Sequence, residues 1–90
     1  MNKLIHVTQK DIDEGCKVEG TSCMVARALK RAYPNAQSIY ASYGSHTGLG
    51  GAFARIGKKY FTMSIACAKR MSDWDDGKTV KPFAFRLKPR

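Results

Sequence analysis

"AFARIGKKYFTM", residues 52–63, reads as two short strands closed around Gly57-Lys58. Glycine supplies the positive φ that a tight hairpin turn requires, and aromatic and β-branched residues favour the strand arms. Just upstream, AQSIYASY (residues 36–43) alternates. It sets Ile39, Ala41 and Tyr43 on one face, with Ser38, Tyr40 and Ser42 on the other, as a strand does. GSHTGLGG (44–51) between the two is a turn-forming loop.

Working outward, CMVARALKRAY (23–33) is an amphipathic helix, capped by Thr21 or Ser22 and stopped by Pro34. Val25, Leu29, Ala32 and Tyr33 recur at three- and four-residue steps and should face the core. Arg27, Lys30 and Arg31 fall on the opposite side. KLIHVT (3–8) is a short strand, in which His6, flanked by Ile5 and Val7, reads as a half-buried packing residue. The acidic stretch after it holds one helical turn at DIDEG, ended by Gly15. Downstream, Ser64 caps a second helix, IACAKRMSDWDD, with Cys67, Met71 and Trp74 as its apolar stripe and Gly77 as its end. Its three aspartates sit at the end where the helix dipole disfavours them. PFAFRLK (82–88) closes the chain as a strand with Phe83, Phe85 and Leu87 on a greasy face and Ala84, Arg86 and Lys88 on the other.

The order β-α-β-β-(β)-α-β predicts a single α+β domain over residues 1–90. It is a two-layer sandwich of two helices on a mostly antiparallel sheet of four or five strands. The ferredoxin-like β-α-β-β-α-β arrangement is the simplest topology with this order.

Charge is the strongest compositional signal. Sixteen Lys and Arg against seven Asp and Glu give +9. Residues 20–72 carry Arg27, Lys30, Arg31, Arg55, Lys58, Lys59, Lys69 and Arg70 without one carboxylate. All seven acids fall in two clusters, Asp11–Glu19 and Asp73–Asp76. A surface made only for solubility intersperses the signs; segregation points to a positive face that attracts polyanions. Those eight basic residues are the candidate nucleic-acid or partner contacts, whether they form one patch or two.

Other chemistries find less support. Cys16, Cys23 and Cys67 are odd in number, and neither they nor His6 and His46 have the paired spacing of a zinc site, so no metal or cofactor is expected. The glycine loop fails the Walker spacing, with five residues between Gly51 and Gly57 and Lys59 where Ser or Thr would hold magnesium. It fails the dinucleotide fingerprint too, since it leads into a strand. A metal-independent ribonuclease could be assembled from His46, Lys58, Lys59 and Tyr60, and is the enzymatic alternative to a non-enzymatic binder. Basic residues interleaved with Tyr40, Tyr43, Phe53 and Tyr60 suit RNA or single-stranded DNA, although GAFARIGK places Arg55 where an RRM would have a second aromatic. No apolar run reaches the ~20 residues of a membrane span, and no secretory leader is visible, so a cytoplasmic location in the host cell is expected.

Two stretches, IHVTQKDIDEG with its following CMVARALKRAYP and the closing DWDDGKTVKPFAFRL, resemble small proteins of tailed phages and prophages. Ile5, Val7, Thr8, Cys23, Asp76, Gly77, Pro82, Phe83 and Phe85 carry the resemblance. It implies a role class: occupying a surface of a host nucleoprotein machine, most sharply as an anti-CRISPR protein engaging a surveillance complex and its RNA. A phage accessory protein binding DNA or RNA is the further alternative.

Overall fold

The computed structural model describes residues 3–17, 20–43 and 51–89. Five strands and three helices follow in the order β1 (Lys3–Val7), α1 (Gln9–Glu14), α2 (Met24–Ala32), β2 (Ile39–Tyr43), β3 (Ala52–Ile56), β4 (Lys59–Met63), α3 (Ile65–Asp75) and β5 (Phe83–Pro89). The sheet is antiparallel throughout, in the spatial order β1-β5-β4-β3-β2. The two-layer α+β sandwich is therefore as the hydrophobic periods predict.

The arrangement in space departs from a split βαβ sheet, which would seat the first strand inside with a parallel partner. Here β1 lies at an edge beside β5, and β2, β3 and β4 form a meander. Local pattern sets which residues are strands, but strand neighbours depend on pairings between distant segments.

The hairpin forms where the sequence places it. Ile56 stands opposite Lys59, and Gly57 takes φ +62, a conformation nearly free of penalty only for glycine. Helix α1 starts with a capping box. The Thr8 hydroxyl accepts from the Asp11 amide at 3.3 Å while the Thr8 amide donates to Asp11 Oδ2 at 3.0 Å. Helix α2 starts one or two residues later than expected, because Cys23 is the cap; its Sγ accepts from the Ala26 amide at 3.4 Å. The carbonyls of Thr21 and Ser22 accept from Lys30 Nζ and the Cys16 amide. Ser64 caps α3 as predicted.

One face of the sheet and both longer helices share a single apolar core. Strands β2 and β3 contribute small Ala41, Ala52 and Ala54; the helices contribute large Met24, Leu29, Met71 and Trp74. Interiors pack at crystal-like density, so small residues in one layer leave room for large ones in the other. Trp74 also donates its indole N–H to the Ile12 carbonyl at 3.1 Å, which ties α1 to α3.

Candidate nucleic-acid interface

Because side chains alternate along a strand, burying Ile5, Ile39, Ala54, Met63 and Leu87 under the helices turns their neighbours to the opposite face. Among the described residues, no helix covers that face. The register places Tyr60, Arg55 and Tyr40 side by side in one row across β4, β3 and β2. The next row holds Lys88, Thr62, Phe53 and Ser42, and beyond it Leu4 lies against Arg86 and His6 against Ala84. Rows on one face repeat every ~7 Å, two residues of strand rise.

An antiparallel sheet with one solvated face ordinarily carries polar side chains there. This one carries rings and cations. Tyr40 and Tyr60 are 37% and 47% exposed, and Tyr40 and Phe53 lie tilted with ring centres 6.1 Å apart. Arg55, Arg86 and Lys88 are exposed, with Lys58 and Lys59 at the hairpin turn that ends the face. No described carboxylate lies on it: the acids belong to α1, to α3 and to the residue that follows α3.

The eight sequence-predicted contacts are divided by the fold. Arg55 belongs to the open face and Lys58 to the turn at its end, whereas Lys59, next to outward-facing Tyr60, falls on the helix side of the sheet with Phe61 and Met63. The α2 basic residues stand in the helix layer, where Arg27 and Arg31 face the first acidic cluster. Arg31 makes a two-pronged contact with Asp11, Nη1 to Oδ1 at 2.9 Å and Nη2 to Oδ2 at 2.8 Å, and also donates to the His6 carbonyl. Arg27 Nε lies 3.6 Å from Asp11 and its Nη2 3.9 Å from Glu14. Lys30 donates to the Thr21 carbonyl at 2.6 Å. On α3, Lys69 pairs with Asp73 at 3.9 Å, and Arg70 stacks over Phe83 at 5.1 Å. Part of the chain's positive charge is thus engaged within the helix layer, while Arg55, Arg86 and Lys88 stand on the open face of the sheet, away from any described carboxylate.

Asp11 is 1% exposed. Burial alone would raise its carboxyl, but Arg31 and the Thr8 cap outweigh burial and hold it below its ordinary value of 3.8. Two of the three aspartates at the end of α3 also have partners: Asp73 faces Lys69 and Lys78, and Asp75 accepts from the Tyr43 hydroxyl at 2.6 Å. Burial, reinforced by Asp75, pushes the Tyr43 phenol up to about 12. These ion pairs and the Tyr43 hydrogen bond offset the helix dipole, which is worth less than ~1 kcal/mol at an exposed end.

Sequence reasoning set Arg86 and Lys88 on one face of their strand, but not on the same sheet face as Arg55; that needs the β4–β5 pairing. His6 is exposed on the open face, not half-buried, because β1 is an edge strand with Ile5 and Val7 turned inward. His46, the residue the ribonuclease alternative depends on, lies outside the described residues. Among the described residues no cluster of three or more His, Cys, Asp or Glu could hold a metal ion. The described cysteines are free thiols, with Cys23 and Cys67 buried and Cys16 exposed. No described helix is long and apolar enough to cross a membrane. In comparisons with known proteins, the chain matches no family model, no curated protein and no solved structure.

Proposed function

We propose that this protein is a non-enzymatic binder of nucleic acid, free or carried by a nucleoprotein complex, acting through the open face of its sheet. The observation that carries the reading is the absence of any described carboxylate from a face bearing Tyr40, Phe53 and Tyr60 among Arg55, Arg86 and Lys88. Rings offer stacking surface to bases of any sequence, and cations beside them neutralise phosphates and release counterions. The ion pairs of α2 make the helix layer the weaker candidate. The sharper form of the proposal, inhibition of a host CRISPR surveillance complex by engaging its RNA, rests on the phage-type sequence resemblance.

The test is direct. Purified protein is titrated into labelled RNA at 50 and 200 mM salt. The reading expects binding that weakens steeply with salt, since each neutralised phosphate contributes roughly 0.7–0.9 to the logarithmic slope. Adding the protein to a purified surveillance complex and measuring target-DNA capture tests the sharper form. Undetectable RNA binding at 50 mM salt would refute the general reading, and undiminished capture the inhibitory one.

A further inference from the structure

We infer that a groove in this face accepts an unpaired base, so that the partner strand is single-stranded and a closed duplex is discriminated against. The inference rests on the reading that the face binds nucleic acid, and specifies which kind.

The groove has a structural origin. Among the described residues, strands β4 and β5 pair at Phe61 with Pro89 and at Thr62 with Lys88. Beyond that point β4 turns at Ser64 into α3, whereas β5 runs alongside β1 back to Phe83. The two strands part, and the wedge between them is a cavity of about 690 Å³. That volume lies within the ~300–1,000 Å³ typical of small-molecule sites. Leu4, Phe53, Ile65 and Ala84 line it together with Arg86 and Lys88, and buried Met63 and Phe85 contribute to its floor.

Two of the lining side chains are unusual for a surface. Ile65 is 68% exposed and Leu4 44%, so aliphatic groups are left in water inside a concave site. Scattered single apolar residues need no explanation, but a contiguous set in a groove marks a binding surface. The occupant must be flat or slender, partly apolar, and joined to negative charge that meets Arg86 and Lys88 at the rim. A nucleobase on its sugar-phosphate strand meets each requirement, and the Thr62 and Ser64 side chains in the same wall offer hydroxyls to its polar edge. In a duplex the base is paired and stacked, so insertion would first require its extrusion. A second copy of this chain is disfavoured by the +9 charge each copy carries.

The experiment measures binding of the full chain to one RNA sequence as a single strand and as a perfect duplex, at one salt concentration, by fluorescence anisotropy. Vesicles of phosphatidylcholine with phosphatidylserine are run in parallel. The expected result is a single-strand preference of about tenfold, the scale of one stacked base. Ala84→Leu fills the groove without changing charge and should abolish that preference while duplex binding stays unchanged. Ile65→Ala removes one exposed wall and should reduce the preference, which provides a second variant should Ala84→Leu fold poorly. Equal affinity for both forms, or an unaltered preference in both folded variants, overturns the groove inference while leaving nucleic-acid binding intact. Vesicle binding that Ala84→Leu abolishes, without strand preference, overturns it in favour of an acyl occupant. Absence of binding to either RNA defeats the underlying reading as well.

Discussion

Replacing Asp11 with Asn tests whether the α2 arginines are structural. Both carboxylate oxygens are engaged: Oδ1 by Arg31 Nη1 at 2.9 Å, Oδ2 by Arg31 Nη2 at 2.8 Å and the Thr8 amide at 3.0 Å. An asparagine must present its NH₂ to one of these donor sets, whichever way the amide is turned. Removing one member of a buried pair costs about 3–5 kcal/mol, but the Arg31 side chain is 52% exposed and can rehydrate. Solvent screening lowers the expected cost to about 2–3 kcal/mol. Against a total stability of roughly 5–13 kcal/mol for a domain this size, that is a large fraction. At about 4–8 °C per kcal/mol, the midpoint of thermal unfolding followed by circular dichroism at pH 7 should drop by roughly 10–20 °C.

The pH dependence follows from the same geometry. Asp11 titrates lower in the folded state than its ordinary 3.8, so its contribution is fully present above that value and is lost as pH falls through the lowered native one. The gap between Asp11→Asn and the native chain should therefore close in strong acid. A midpoint shift below about 2 °C at pH 7, less than the change expected from even 1 kcal/mol, would refute the account of this cluster.

Two further outcomes are expected. Tyr43→Phe removes the 2.6 Å hydrogen bond to Asp75 and should cost about 1–2 kcal/mol in urea unfolding. The native phenol, pushed up to about 12 from 10.0, should ionise late in an absorbance titration, its stabilisation present below pH 10 and lost as pH rises through 12. Thiol labelling of the native protein at pH 8 should modify exposed Cys16 quickly. Cys67, whose thiol burial pushes up to about 12, and Cys23, also raised by burial, should react only on unfolding.

Much of this fold is legible in the chain because its local signals agree. Gly57 at positive φ, Ser64 at the start of α3, and the alternation of Phe83, Phe85 and Leu87 each read correctly without tertiary information. The illegible parts all depend on distance along the chain. The pairing of β1 with β5 joins residues some eighty positions apart, and no local period encodes it. For the same reason a carboxylate-free run from 20 to 72 suggests one positive face, yet Asp11 reaches across to Arg31 and takes that residue into the helix layer. Arg86 and Lys88 show the converse: their alternation is visible in the chain, whereas their sharing a sheet face with Arg55 is not. Cys23 as a helix cap is a smaller case: neighbouring Thr21 and Ser22 carry the stronger statistical signal, yet it is the Cys23 sulfur that accepts from the Ala26 amide.

One comparison bears most directly on the functional claim: the affinity for labelled single-stranded RNA, across a salt series, of Arg55→Gln/Arg86→Gln/Lys88→Gln beside that of Arg31→Gln. If the open sheet face is the binding surface, the triple variant loses more than about tenfold and its logarithmic salt slope flattens by about 2, whereas Arg31→Gln melts earlier and binds as the native chain does. Unchanged RNA affinity in the folded triple variant, or an equal loss from Arg31→Gln while folded, would contradict it.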